Sequence, residues 1–169
     1  MSTERGPLDG AYVAVVGPAD SARAAHLTTA REAGGLLAAS GAIVLTGGHH
    51  GVMAAAAQGA RAGGGTAIGL LPGTVRAEGD PAHTFLLPTG LGELRNGLLV
   101  RAADAVLAVG CSWGTLSEVA LARRTAVPLV LVDPWDLPDD VGTVVPDAAS
   151  AVAELGRLLE RPARRPVRP

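Results

Sequence analysis

The stretch that most constrains the fold runs from residue 91 to residue 122, LGELRNGLLVRAADAVLAVGCSWGTLSEVALA. Its centre, residues 105–109 (AVLAV), is a short, uninterrupted apolar run, which predicts a strand covered on both faces. A helical pattern precedes this strand, and the turn GCSWGT at 110–115 leads into a second helix. A strand that ends in a small-residue turn before a helix gathers unpaired backbone N–H groups at one point. Such a point attracts anions, phosphate above all.

The same order of strand and helix repeats along the whole chain. We therefore predict an α/β fold, a doubly wound, mostly parallel sheet in a Rossmann-like three-layer α/β/α single domain spanning residues 1–160. The segment 161–169 (RPARRPVRP) is rich in proline and arginine and is predicted to be a disordered tail. The expected strands are 12–16, 42–45, 66–71, 84–87, 105–109 and 128–133, with an edge strand at 142–145.

The helices carry more local expectations. The first is predicted over 21–39, with Asp20 or Ser21 as its N-cap and with Gly34 and Gly35 weakening its middle. Two further helices are predicted over 52–62 and 148–159, and residues 1–10 are polar and expected to be loose.

Composition narrows the chemistry. Apolar residues make up 48% of the chain and aromatic residues 2%, so the core must consist mainly of Ala, Val and Leu. The formal net charge of −2 gives no reason to expect nucleic acid or a membrane surface as partner. The chain contains no lysine, which excludes a pyridoxal-phosphate Schiff base and a Walker A lysine. A single cysteine excludes an internal disulfide, and we expect a cytoplasmic protein without metal or cofactor.

Three glycine-bearing turns each follow a predicted strand, at Gly17, at 47–51 and at 110–114. Because the carboxyl ends of parallel strands meet at one edge of the sheet, we expect these turns to converge there. The alternative is that glycine at these positions serves only to allow a tight turn. Three turns together, one of them ending in Gly-Thr at a helix start, favour phosphate binding. The pattern GxGxxG is absent, so a dinucleotide is not specifically indicated.

Several polar residues near these turns admit two interpretations. Glu118 lies three residues after Thr115, so the two could form a capping box, or Glu118 could be a pocket carboxylate acting as a general base. Arg95 could face the pocket or the solvent. Asn96 is a poor residue for a helix interior, which indicates a local polar role.

The remaining candidates are aromatic, sulfur-containing or basic. His49 and His50 could bind metal, but adjacent histidines without a partner pattern favour a pocket lining. Cys111 could be a nucleophile at a helix N-terminus, yet it has no obvious histidine partner and is better explained as a small turn residue. Trp113 could stack on a ligand ring or cap the core.

Three motifs together resemble a known family. TGGHHGVM at 46–53, PTGLGELRN at 88–96 and GCSWGTLSE at 110–118 are similar to those of the LOG-like ("Lonely guy") superfamily, formerly mislabelled lysine decarboxylases. Within that superfamily, the chain resembles a branch of small bacterial Rossmann-type nucleotide-binding proteins, to which a molybdenum cofactor carrier protein of algae is similar. The resemblance covers almost the whole chain.

The resemblance implies roles for particular residues. Characterised LOG enzymes hydrolyse the N-glycosidic bond of nucleoside 5′-monophosphates, and their motif PGGxGTxxE binds phosphate and supplies a catalytic glutamate. Glu118 matches that glutamate, and Arg95 matches an arginine on the preceding helix. The predicted phosphate- and nucleotide-binding residues are Gly17, Gly47, Gly48, Gly51, Met53, Asn96, Gly110, Ser112, Trp113, Gly114 and Thr115.

The chain also departs from the enzyme pattern. Where the enzymes have Pro-Gly-Gly, this chain has Gly110, Cys111 and Ser112, and Thr46 replaces the first glycine of a GGG turn. Two hypotheses therefore stand. The first is a phosphoribohydrolase acting on nucleoside 5′-monophosphates, and the second is a non-catalytic binding or carrier protein for a phosphorylated heterocycle, such as a nucleotide or the molybdenum cofactor. The resemblance also implies a homo-oligomer, a dimer or a tetramer.

Overall fold

The computed structural model describes residues 6–160, in which strands and helices alternate as the sequence predicts. The elements are β1 (Tyr12–Val16), α1 (Ala24–Ala39), β2 (Ile43–Thr46), α2 (Val52–Ala62), β3 (Ala67–Leu71), β4 (Phe85–Pro88), α3 (Arg95–Ala102), β5 (Ala105–Val109), α4 (Trp113–Thr125), β6 (Leu129–Val132), β7 (Thr143–Val145) and α5 (Ala148–Leu159). Single 3-10 turns lie at Arg76–Glu78, inside the loop after β3, and at Gly92–Leu94, before α3.

The strands form one sheet in the order β4-β3-β2-β1-β5-β6-β7. Every neighbouring pair in the described part of the chain is parallel. The predicted Rossmann-like α/β fold is therefore confirmed. Strand β1 pairs with β2 on one side and with β5 on the other, so the strand order reverses between β1 and β5. In sheets of this type, ligands bind outside the carboxyl ends of the strands at such a switch point.

Alternate residues of the strands supply the two sides of the core. Val13 and Val15 of β1 lie in a cluster with residues of α1, α2 and α5. Ala14 and Val16 lie in a second cluster with residues of α3 and α4. Each face of the sheet is therefore covered by helices, which explains why the central strands are continuous apolar runs.

Helix α1 differs from its prediction in two ways. Its N-cap is Arg23, and the Arg23 backbone N–H donates to His26 Nδ1 at 3.2 Å, so the expected cap at Asp20 or Ser21 was wrong. The helix is also continuous through Gly34, where a β-carbon would collide with the backbone of Ala56 in α2. Glycine here lets two helices approach closely, a packing gain that offsets its low helix propensity.

The prediction for the N-terminal segment needs one correction. Within the predicted loose segment 1–10, residues 6–10 form a turn, and Leu8 is 5% exposed in the core cluster beneath α1 and α5. Residues 1–5 and the predicted tail 161–169 lie outside the described residues. None of the helices within residues 6–160 has the length and apolar character that a bilayer crossing requires.

Candidate functional site

The glycine turns after β1, β2 and β5 meet at the carboxyl edge of the sheet. A β-carbon on Gly17 would lie 2.6 Å from Val52 Cγ1, at the start of α2, and would also collide with the carbonyl oxygen of Val109, the last residue of β5. The Val52 backbone N–H donates to the carbonyl of Pro18 at 3.1 Å, which joins the first two turns directly. The predicted convergence is therefore present, and Gly17 lies at its centre.

The guanidinium of Arg95, from the start of α3, packs against the turn between β2 and α2. A β-carbon on Gly47 would overlap Arg95 Nη1 and would lie 2.8 Å from Met53 Sδ. The Arg95 guanidinium and the Met53 sulfur therefore fit here only because residue 47 has no side chain. Arg95 is 8% exposed. Of its two interpretations, the structure therefore excludes the solvent-facing one.

Within the described residues, not every hydrogen-bond donor of the Arg95 guanidinium has a partner. Its Nε atom is buried and has no hydrogen-bond partner there. Its Nη1 atom lies 3.8 Å from Glu118 Oε1, which is longer than a hydrogen bond. Burial lowers the pKa of Arg95, and the carboxylate of Glu118 only partly opposes that effect. A buried cation in this condition has a strong preference for an additional anionic or acceptor group.

Glu118 is the second buried member of this pair, at 7% exposed. Burial raises the pKa of its carboxyl from an ordinary 4.5 to about 7, while the positive charge of Arg95 acts in the opposite direction. Near neutral pH the side chain is thus divided between a carboxylate and a carboxylic acid, which can donate a hydrogen bond. A carboxyl with this pKa can serve as a general acid or base, or it can hold a ligand through either form.

Of the two interpretations of Glu118, the structure excludes the capping box with Thr115. Helix α4 begins at Trp113, its N-cap is Ser112, and the Ser112 hydroxyl accepts the Thr115 backbone N–H at 3.2 Å. Thr115 is therefore inside the helix and Glu118 is free of a capping role. Because Ser and Thr are both good N-caps, spacing alone did not distinguish the two positions.

Asn96 links the two helices that carry the charged pair. Its Nδ2 donates to Ser117 Oγ at 3.0 Å, and Ser117 Oγ donates to the carbonyl of Gly114 at 2.7 Å in the first turn of α4. The local polar role expected for Asn96 is thus positional, since it holds α3 against α4. Gly114 itself lies in open surroundings, because a β-carbon added there would have Ser112 Oγ as its nearest neighbour, at 3.8 Å.

Trp113 does not cap the core, because it is 78% exposed at the first residue of α4. Its ring lies edge-to-face with Trp135, with ring centroids 5.0 Å apart. Trp135 follows β6 and is itself 40% exposed. The pair forms an aromatic wall at the same edge of the sheet, and sequence analysis identified only one of its two members.

The two adjacent histidines have different surroundings. His49 is half-buried, and its pKa is lowered by burial and by the positive charge of Arg95, which places it within electrostatic range of the pair. His50 is exposed and contacts Asp20 Oδ1 at 2.7 Å. Burial raises the pKa of the Cys111 thiol, the opposite of what an activated nucleophile requires. No cluster of three His, Cys, Asp or Glu side chains suited to a metal ion occurs within residues 6–160.

A second charged cluster lies at the same edge, beside β5 and β6. His26 is 5% exposed, its Nε2 lies 2.9 Å from Asp133 Oδ2, and Arg23 forms an ion pair with the same carboxylate oxygen. The ring of His26 occupies the space that a β-carbon on Gly110 would need. The sequence pattern did not predict this cluster, and the one signal for it in the sequence is an aspartate directly after a buried strand.

The contact between Thr46 and His83 was also not predicted from the sequence. Thr46 Oγ1 lies 2.6 Å from His83 Nε2, and both residues are buried directly behind the turn that carries Arg95. The one sequence signal for this contact was the presence of Thr46 where the family motif has glycine.

Comparisons with known proteins agree with this architecture. The structure of the molybdenum cofactor binding protein from the phototrophic bacterium Rippkaea orientalis has a TM-score of 0.84 and 32% sequence identity, with 89% of this chain and 98% of that chain covered. The molybdenum cofactor carrier protein of Chlamydomonas reinhardtii has a TM-score of 0.80 and 35% identity, with 89% and 99% covered.

A curated relative matches over a shorter span. An uncharacterized protein of Archaeoglobus fulgidus is 34% identical over 67 residues, which are 40% of this chain and 44% of that protein, so the match spans less than half of the relative's length. The family model, by contrast, matches residues 10–158, almost all of the described chain. The chain therefore belongs to the SLOG cluster4 family.

Proposed function

We propose that this protein binds a phosphorylated heterocycle of the molybdenum cofactor type and holds it without turnover. The observation that carries this proposal is the buried, incompletely paired guanidinium of Arg95, which lies on Gly47 where the strand-end turns meet. A phosphate or an acceptor atom of the heterocycle supplies the partner that Arg95 lacks. The start of α4 adds backbone N–H groups and the positive end of a helix dipole.

The relatives support a carrier more than an enzyme. Two proteins with this fold and more than 30% identity are described as binding or carrying the molybdenum cofactor. The turn after β5 also departs from the Pro-Gly-Gly of the enzymes, and the Ser112 hydroxyl at that turn is used to cap α4. The exposed indole rings of Trp113 and Trp135, which lie edge-to-face, offer aromatic contact area beside the turn for a fused heterocycle.

One observation favours a second function, the phosphoribohydrolase. Glu118 has a pKa of about 7 and lies close to Arg95, an arrangement suited to stabilising an oxocarbenium-like sugar while orienting a water molecule. In that reaction water attacks the anomeric carbon, the N-glycosidic bond breaks, and free base and ribose 5-phosphate are released. The phosphate would occupy the same turn in both functions.

The deciding experiment measures binding and base release together. The purified protein is incubated with adenosine 5′-monophosphate, a panel of other nucleoside 5′-monophosphates and isolated molybdenum cofactor, with calorimetry for binding and chromatography for free base. We expect binding of the cofactor without product formation. Base release that disappears in Glu118→Gln would establish the hydrolase instead, and the absence of binding to every compound would overturn both functions.

A pair of arginine variants tests the site itself. Arg95→Met removes the buried guanidinium and should weaken ligand binding about 100-fold, since charge-assisted hydrogen bonds to a charged ligand are worth roughly 1.5–3 kcal/mol each. Arg101→Met, at the exposed end of the same helix α3, is the matched control and should bind as the wild type does. Equal affinities in the two variants would show that Arg95 does not contact the ligand.

Assembly as a dimer or tetramer stays a prediction. Several large apolar side chains are exposed around β4 and α3, among them Phe85, Leu87 and Leu94. Analytical ultracentrifugation gives the number of subunits, and a monomer at micromolar concentration would contradict the prediction.

A further inference from the structure

A chain of buried hydrogen bonds supports the turn against which Arg95 packs. His83 Nδ1 lies 2.9 Å from the backbone carbonyl oxygen of Asp80. His83 Nε2 lies 2.6 Å from Thr46 Oγ1, and the Gly48 backbone N–H donates to that same hydroxyl oxygen at 2.9 Å. The Asp80 backbone N–H donates in return to the Gly48 carbonyl at 2.9 Å. Both polar groups of Gly48 are thereby held by residues behind the turn.

The direction of each hydrogen bond follows from the chemistry of the groups. A backbone carbonyl can only accept, so the proton of neutral His83 is on Nδ1 and Nε2 is an acceptor. The Thr46 hydroxyl therefore donates to His83 and keeps an oxygen lone pair for the Gly48 N–H. The chain thus runs in one direction, from Gly48 through Thr46 and His83 to the carbonyl of Asp80.

Packing leaves these groups little freedom. Thr46 is 0% exposed and His83 is 6% exposed. A β-carbon on Gly69, in β3, would lie 2.7 Å from the α-carbon of Gly48 and 3.0 Å from His83 Cδ2. Gly48 itself has a φ of +82°, a conformation that side-chain-bearing residues rarely adopt. The conformation of the turn therefore depends on its hydrogen bonds and on close contacts that cannot be relaxed separately.

We infer that His83 is a positioning residue of the ligand site, which through Thr46 keeps the turn at 46–51 in its ligand-accepting conformation as long as the imidazole is neutral. The inference rests on the proposed function, because it places the ligand at this turn. Protonation converts Nε2 into a donor, so the Thr46 hydroxyl loses its acceptor and faces two donors at once. The buried hydroxyl proton of Thr46 is then left without an acceptor, which weakens the hydrogen-bond support of Gly48 and of its neighbour Gly47, against which the Arg95 guanidinium packs.

The charged groups around His83 come from three segments. Asp80, in the same loop, favours the protonated form through its carboxylate and its backbone carbonyl, whereas His49 of the turn opposes it. Arg61 of α2 is the third, since it donates to the carbonyls of Pro81 and Ala82 in the same loop. Burial is the largest influence and lowers the pKa of His83 below its ordinary 6.5. The neutral form is therefore the one present at neutral pH, and acidification below the ordinary pKa of 6.5 is needed to protonate it.

Two substitutions separate the two hydrogen bonds of His83. In His83→Gln the amide oxygen can reach the position of Nε2 and accept from Thr46 without titrating. In His83→Asn the shorter amide can donate to Asp80 but cannot reach Thr46. Binding of adenosine 5′-monophosphate and of inorganic phosphate is measured from pH 5 to 8. We expect wild-type affinity to fall on acidification and His83→Gln to show a shallower fall, since Glu118 and the phosphate of the probe still titrate in this range. His83→Asn should bind weakly at every pH.

The role of the Thr46 hydroxyl is tested by a matched pair of variants at this residue. Thr46→Val removes the hydroxyl at nearly constant volume and should reproduce the weak binding of His83→Asn, whereas Thr46→Ser should retain wild-type affinity. Thr84→Val is the control, since the Thr84 hydroxyl, adjacent in sequence to His83, accepts from Ala67 of β3 and does not contact the turn. Equal binding by Thr46→Val and the wild type would overturn the inference.

A readout without ligand keeps this test separate from the proposed function. Nitrogen-15 NMR of the histidine rings reports the tautomer of His83, and hydrogen exchange reports the protection of the Gly48 amide. We expect the Nδ1–H tautomer at pH 7.5 and loss of Gly48 protection in Thr46→Val and at pH 5. If both hold but neither probe binds, only the proposed function fails. If a probe binds while Gly48 protection is independent of pH and of Thr46, the inference fails.

Discussion

Two groups of charged side chains lie at the carboxyl edge of the sheet, and they differ in how completely their charges are paired. Arg23, His26 and Asp133 form a closed network in which the carboxylate contacts both basic groups and half of its surface stays in water. Arg95 and Glu118 are both about 90% buried in their side chains and lie 3.8 Å apart without a direct hydrogen bond. One group is complete without a ligand, and the other is not.

This difference supports the proposed ligand site at Arg95 and Glu118 more strongly than the residue types do. Both groups contain an arginine and a carboxylate near a glycine turn, so their sequence patterns are alike. Burial shifts the pKa of Glu118 and leaves Arg95 Nε without a partner, whereas the solvated network around Asp133 stabilises its own turn. Incomplete pairing in a buried place is costly to folding, and it is characteristic of positions whose partner arrives from outside the chain.

The largest expected effect is a pH dependence of stability caused by Glu118. Because the pKa of its carboxyl is raised to about 7 in the folded state, folding favours the protonated form. The contribution is complete below the ordinary pKa of 4.5 and is lost as the pH rises through 7, a change of about 3 kcal/mol. Glu118→Gln should abolish this dependence, as measured by urea unfolding between pH 5 and 8. Exposed Glu32→Gln is the control, and parallel curves for Glu118→Gln and the wild type would contradict the assignment.

A second prediction concerns the support beneath Arg95. Gly47→Ala places a methyl group against the guanidinium and Met53 Sδ, and it should lower the free energy of unfolding by about 1–3 kcal/mol. Gly114→Ala adds the same methyl group in open space and should change stability by less than about 1 kcal/mol. Thermal unfolding of both variants gives the comparison. Equal melting temperatures would show that Gly47 is not packed as described.

A third, smaller effect is expected from the N-cap of α4. Ser112→Ala leaves the Thr115 N–H without its acceptor and should cost about 1 kcal/mol of stability. Ser21→Ala is the matched control, because Ser21 was, with Asp20, one of the two expected caps of α1, whereas the helix begins beyond Arg23. Chemical unfolding should show no more than about 0.5 kcal/mol for the control. The reverse ranking would restore the capping positions expected from sequence.

The smallest effect is expected in the closed network. Asp133→Asn keeps a residue that tolerates the positive φ of 53° and removes only the charge, so it should cost less than about 1 kcal/mol at this half-exposed ion pair. Ligand affinity should remain that of the wild type, as titration calorimetry would show. A loss of affinity comparable with that of Arg95→Met would place Asp133 in the ligand site and remove the distinction between the two groups.

The sequence predicted the sheet closely because buried parallel strands are continuous apolar runs. The strand at 105–109 was placed without error, and the one expected at 42–45 is displaced by a single residue, at Ile43–Thr46. The helices expected at 52–62 and 148–159 were also placed without error, whereas the start of α1 was not. A cap depends on which hydroxyl or ring reaches the first-turn N–H groups, and for α1 that ring belongs to His26, which is oriented by Asp133 from 107 residues away.

By itself, the sequence determined that strands alternate with helices and that the glycine turns meet at one edge, because parallel strands all point the same way. It also identified Arg95 and Glu118 as candidates. Only the tertiary structure decided which charged residues are buried and which are paired. Thr46 and His83 are 37 residues apart, and Arg95, at the start of α3, meets Gly47 in the turn after β2. Such contacts depend on the packing of distant segments, and burial and pairing, which set the charge state of each group, follow from that packing.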